Sequence, residues 1–118
     1  MNTVLAQRVA WRRRTTRHHY VGTLSGLAGG IRLAGREPGT GIEVGLFLPF
    51  EEIESVSAGA ADEKLVGESC VVLELSDSEP ILVRNVDVGE LRPKELAARI
   101  AAHVTRGRQS EMLAAASS

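Results

Sequence analysis

Residues 70–84 read Cys70-Val71-Val72-Leu73-Glu74-Leu75, then Ser76-Asp77-Ser78-Glu79-Pro80, then Ile81-Leu82-Val83-Arg84. Two runs rich in β-branched and aliphatic residues flank a polar segment that ends in proline. Such runs are too short for helices, and the segment between them consists of residues that favour turns. The stretch predicts an antiparallel hairpin, with Arg84 placed to pair with Glu74 across it.

Downstream the periodicity changes. Pro93 stands where the first turn of a helix tolerates a missing N–H, and Leu96, Ile100 and Val104 recur every four residues with Ala97 and Ala101 beside them. This spacing predicts an amphipathic helix. Gly107 sits where a C-terminal cap belongs, and Arg99, Arg106 and Arg108 gather toward the end where the helix dipole favours cations. Burying Leu96, Ile100 and Val104 contributes roughly 1.5–3 kcal/mol each as an upper figure. The tail 108–118 has little that packs, above all from Met112 to Ser118, and is expected to fray.

Upstream, Ile42, Val44 and Leu46 alternate with Glu43 and Gly45, a half-buried strand of period two that Pro49 ends. Phe50 to Ser57 predicts a turn at Glu51–Glu52 and then a short strand through Val56. Tyr20–Leu24 and Ile31-Arg32-Leu33 are β-rich blocks broken by Ser25-Gly26 and Gly29-Gly30. Gly35 to Gly41, with Pro38, reads as a loop, and Ala58 to Gly67 as a second one. Residues 1–17 lack a clean period: Val4, Leu5, Val9, Ala10 and Trp11 fit a short helical face or an extended lead-in, and both readings stay open. The domain is therefore drawn over residues 18–107, between a basic segment 1–17 and the tail 108–118.

The chain has 118 residues, 43% hydrophobic and 25% charged, with formal net charge -1 and one cysteine. That length makes one domain, which buries roughly two thirds of the unfolded chain's surface and needs no disulfide or metal to fold. Cys70 alone cannot form an internal bridge, so a reducing compartment is expected. No apolar run approaches the ~18 residues of a membrane-spanning helix, and no leader pattern is visible, which makes a cytoplasmic setting the expectation. Aromatics are scarce, so an aliphatic core is expected, and twelve glycines against four prolines suit many short strands. Twelve arginines against two lysines, with abundant alanine and glycine, give the composition of a high-GC bacterial chain.

The small net charge conceals segregation. Residues 1–19 carry +5, residues 20–90 carry -9 and residues 91–118 carry +3. Basic ends on an acidic body can neutralise one another. The sharper reading makes Trp11, Arg12, Arg13, Arg14 and Arg17 a patch for anionic lipid or nucleic acid, with Trp11 as interfacial anchor and membrane-peripheral attachment as the result.

Catalytic groupings are not found. His18 and His19 are adjacent and point to opposite faces of a strand, His103 lies far along the helix, and no third ligand stands at metal-binding spacing. Cys70 opens the most apolar strand, where a buried thiol is inert. Glu51, Glu52 and Glu54 read as a solvated turn face, and Gly35–Gly41 lacks the Lys-Ser/Thr ending of a phosphate loop and precedes a strand. No cofactor, metal or enzymatic activity is expected.

Short strands followed by one amphipathic helix, with the blocks Gly30-Ile31-Arg32-Leu33-Ala34-Gly35, Leu48-Pro49-Phe50-Glu51-Glu52-Ile53-Glu54-Ser55-Val56, Val71–Leu75 and Ile81–Arg84, resemble small bacterial members of the pleckstrin-homology-like superfold. The resemblance covers about residues 18–106. It implies a mainly β fold: a bent, partly open antiparallel barrel of two near-orthogonal sheets, capped by the C-terminal α-helix. Gly22 to Gly30 carries none of the lysines and arginines that phosphoinositide-binding members have there, and the final helix lacks the aromatic common in the family. The expected function is a non-catalytic module docking a protein or peptide at loops and exposed strand edges. The alternative is the arginine cluster on anionic lipid or nucleic acid. An uncovered sheet edge also offers a route to self-association.

Overall fold

The computed structural model describes residues 5–16, 18–59, 64–65, 68–86 and 92–117. Its strands are β1 (Ala6–Arg13), β2 (Tyr20–Leu27), β3 (Gly30–Arg36), β4 (Glu43–Pro49), β5 (Ile53–Ala58), β6 (Lys64–Leu65), β7 (Glu68–Ser69), β8 (Val71–Leu75) and β9 (Ile81–Asn85), and a single helix, α1, runs over Pro93–Ser117. Seven of the strands form one antiparallel sheet, curled into a half-barrel in the order β4-β3-β2-β1-β9-β8-β5. A 3-10 turn at Phe50–Glu52 joins β4 to β5, so consecutive strands lie at opposite edges of the sheet. The β8–β9 hairpin forms as the sequence predicts, but its register pairs Val71 with Val83. Continued by one step, that register sets Arg84 across from Cys70 and leaves Glu74 about four residues, ~13 Å, away along the strand. Glu74 lies instead beside Arg14, at 3.8 Å.

β1 corrects the sequence reading most. The segment drawn outside the domain is the central strand of the sheet, with Val9 opposite Gly22 on one side and Asn85 on the other. Val9 and Trp11 face the main core together with Leu24, Ile31, Leu33, Leu73, Ile81 and Val83, all buried. Ala10 faces the opposite way into a second cluster with Leu65, Cys70, Val72 and Leu82. The β6–β7 hairpin covers that patch, its first strand lying within the stretch 58–67 read as a loop and its second just after it. At Val9, Ala10 and Trp11 both faces of the strand are buried, which interrupts the alternation there and leaves the segment without a clean period.

Leu96, Ile100 and Val104 are buried against the inside of the half-barrel, so the four-residue repeat does mark the packed face of α1. The helix packs along β5 and reaches β8, β9 and the 3-10 turn. It does not stop at Gly107. A Cβ at that position would lie 2.1 Å from a ring carbon of Phe50, so the glycine is there to let the helix cross a buried aromatic ring. Just beyond it, the Arg108 guanidinium donates to the Phe50 carbonyl at 2.9 Å and also to the Ile53 carbonyl, tying the helix to the turn. Gln109, Glu111, Met112, Leu113 and three alanines are strong helix formers, and the tail expected to fray is helical through Ser117.

Candidate functional site

The described residues of the proposed cationic patch, Trp11, Arg12, Arg13 and Arg14, do not share one face of the structure. Trp11 is 2% exposed, its indole N–H donates to the Ala34 carbonyl at 3.2 Å, and its ring lies 4.8 Å from that of Tyr20. It is a core residue and cannot anchor in an interface. Its large ring fills space where the sequence reading expected aliphatic side chains alone. Arg12 turns its Nη1 onto the carbonyls of Arg13, Arg14 and Thr16 at 3.1, 2.7 and 3.2 Å, closing the turn after β1. Arg13 is half-buried at the strand end opposite Ile81, and Arg14 is exposed beside Glu74. Arg17 lies outside the described residues.

Two other features are surfaces. The first is the edge of the sheet at β4. Of the two edges, β5 runs against α1, whereas β4 pairs only with β3, over all seven of its residues. Glu37 N–H donates to the Ile42 carbonyl at 2.9 Å and Phe50 N–H to the Gly29 carbonyl at 3.2 Å, fixing the phase of the β3–β4 ladder. Hydrogen-bonded pairs alternate in an antiparallel ladder, so Val44, Leu46 and Leu48 bond to β3. The backbone groups of Glu43, Gly45 and Phe47 consequently point away from the sheet. Ile42 at the start of this edge is 58% exposed and Phe47 is 47% exposed.

The second is the outer face of the half-barrel, opposite the helix. Alternation from the buried positions places Arg8 and Arg12 of β1, Arg32 and Arg36 of β3 and Arg84 of β9 on this face. A trough of about 420 Å³ runs over β2, β3 and β4, floored by Val21, Thr23, Ala34 and Gly45 and bounded by Arg32, Arg36 and Glu43. Arg36 is ion-paired with Glu43. Arg84 is half-buried, and its Nε and one Nη are buried with no acceptor among the described residues. These arginines are scattered over 77 positions of sequence, from Arg8 to Arg84. The local signal was the alternation Ile31-Arg32-Leu33, but which strands stood beside it depended on a register the sequence did not reveal.

A smaller recess of about 390 Å³ lies between α1 and the β2–β3 turn, lined by Leu27, Ala28, Phe50 and His103 among others. His103 Nε2 faces two acceptors, the Leu27 carbonyl at 3.0 Å and the Gly30 carbonyl at 3.3 Å, so that nitrogen carries the proton. The ring fits because Gly26 has no side chain; a Cβ there would come within 2.8 Å of it. This histidine holds helix to hairpin. His18 is occupied by Glu37 at 3.2 Å. Among the described residues, no three metal-ligating side chains come together, and no helix is long and apolar enough to cross a membrane.

No protein-family model, curated protein or solved structure matches the chain.

Proposed function

We propose that this chain is a non-catalytic binding module of pleckstrin-homology-like fold, working in the cytoplasm, and that it docks an extended peptide segment of a partner protein along β4. The half-barrel and its terminal helix support the family reading, in which the sheet bends at its centre into two near-orthogonal halves. One observation carries the docking: α1 packs against the strand at one edge of the sheet, while the other edge offers the backbone groups of Glu43, Gly45 and Phe47 in a regular row. A peptide adding a strand there gains main-chain hydrogen bonds, and exposed Ile42 and Phe47 select its side chains. Glu43 and Pro49 at the two ends limit uncontrolled pairing, as edge strands require. A second copy of the chain is the competing occupant of the same edge.

The test is selection from a displayed library of random peptides, followed by affinity measurement on variants at position 45. A Cβ on Gly45 meets nothing within 4 Å, so Gly45→Ala is tolerated and binds within about twofold of the parent. Gly45→Pro removes an outward N–H without touching the β3 ladder and should weaken binding at least about tenfold, the scale of a lost hydrogen bond plus steric obstruction. Bound peptide should also slow amide exchange at Glu43, Gly45 and Phe47. Selected peptides that bind Gly45→Pro as well as the parent would refute docking at this edge.

A further inference from the structure

We infer that the outer face of β1–β4 binds single-stranded nucleic acid, stacking a base on Phe47 and holding successive phosphates with Arg32, Arg36 and Arg8. This goes beyond peptide docking and rests on the outward side chains of the sheet, sharing Glu43, Gly45 and Phe47 of β4 with the docking edge. On the outward side of β1, β2, β3, β4 and β9 the side chains include five arginines, Arg8, Arg12, Arg32, Arg36 and Arg84, and one acid, Glu43. The whole chain is slightly acidic, so this excess is a property of the face and not of the composition.

The spacing of the charges selects the ligand. Arg32 and Arg36 are four residues apart on one strand, ~13 Å, and Arg8 stands two strands from Arg32, ~12 Å away. Backbone separations this wide suit a chain of phosphates, which meets the arginines in turn, better than one lipid headgroup or a free phosphate. Between the arginines the floor of Val21, Thr23, Ala34 and Gly45 is low, and the trough of about 420 Å³ lies within the ~300–1,000 Å³ typical of ligand clefts.

Phe47 supplies what a polyanion site alone would lack. It is 47% exposed, sits directly across the ladder from Arg32, and its ring tip lies 3.6 Å from where a Cβ on Gly29 would be. An aromatic ring on the solvent face of a sheet beside an arginine is a platform for an unstacked base. A base must leave its stack to lie on such a ring, which favours a single strand. Glu43 holds Arg36 at the far end, where an incoming phosphate must displace a carboxylate.

The test is fluorescence anisotropy with a labelled oligouridine of about 15 nucleotides on the intact protein. Binding is expected at low salt, with a log–log salt slope near -2 for three phosphates at about -0.7 each. Arg32→Ala and Arg36→Ala should each make the slope shallower by about 0.7. Phe47→Ala should weaken binding about tenfold while leaving the slope unchanged, since stacking releases no counterion. Glu43→Gln should tighten binding by freeing Arg36. All four side chains are exposed, and thermal melting of each variant verifies that the fold is kept. Ile42→Ala, which removes a side-chain contact of the docked peptide from outside the trough, should leave oligouridine binding intact. The inference is overturned by no binding at low salt, by an Arg32/Arg36 double variant that binds as well as the parent, or by stronger binding to phosphatidylserine vesicles or polyglutamate than to oligouridine.

Discussion

At the scale of single residues, two side chains show how type alone misleads. Gly107 follows the last apolar repeat of α1 and is flanked by arginines, the usual surroundings of a helix-ending glycine. Its actual neighbour is the Phe50 ring, 57 positions earlier in the chain. Gly107→Ala therefore brings two opposed effects. Intrinsic helix propensity favours alanine by about 1 kcal/mol, and forcing a methyl into the ring of a buried phenylalanine costs about 1–3 kcal/mol. Neither the ring nor the helix can retreat easily, because Arg108 ties them together one residue on. Denaturant unfolding should show net destabilisation, with the melting temperature lowered by several degrees; an unchanged or stabilised variant would mean that the helix does not cross Phe50 at this point. Trp11 misleads in the other direction. Tryptophan next to three arginines has the composition of an interfacial anchor, yet the strand's alternation turns the ring inward and the arginine at position 12 outward.

At the scale of elements, legibility follows how many faces an element buries. β4 buries one face and alternates, so its residues announce it. The β8–β9 hairpin and the apolar face of α1 were likewise readable, because a turn signal and a 3.6-residue period are local properties. β1 was not, since Val9, Ala10 and Trp11 are all buried, two toward the helix and one under the β6–β7 hairpin. The arginine face stayed hidden for a related reason: Arg8, Arg32, Arg36 and Arg84 become neighbours only through three strand registers, none of which is encoded locally. α1 itself divides into two halves of unequal worth. Ile100 is fully buried, and Ile100→Ala should cost about 2–5 kcal/mol. Beyond Arg108 the described side chains are exposed, Met112 at 72% and Leu113 at 69%. Ending the chain after Gln109 should therefore shorten the helix, seen as reduced helical circular dichroism, while changing unfolding free energy by less than about 1 kcal/mol. A loss comparable to Ile100→Ala would show that the exposed turns contribute to the fold.

At the scale of the molecule, the strand order sets what can be removed. Among the described residues, β1 is the strand whose ladders connect β4-β3-β2 on one side to β9-β8-β5 on the other. The two groups of strands face each other across a shared core, but their ladders meet only through the backbone of residues 6–13. Deleting residues 1–17 would thus leave β2 and β9 with unpaired inner edges and remove the buried Val9 and Trp11 side chains. The loss of Trp11 alone is worth about 3–5 kcal/mol, within reach of the ~5–15 kcal/mol total stability of an ordinary domain. A fragment beginning at residue 18, the boundary that patterning alone suggests, should therefore fail to fold, lacking a cooperative thermal transition and dispersed amide resonances. Mixing that fragment with a synthetic peptide covering residues 4–16 should restore both, because the missing strand has two prepared edges to pair with and a vacant place for its tryptophan. Folding of the shortened fragment by itself would show that the two strand groups close on one another directly, and that β1 is an addition to the half-barrel and not its seam.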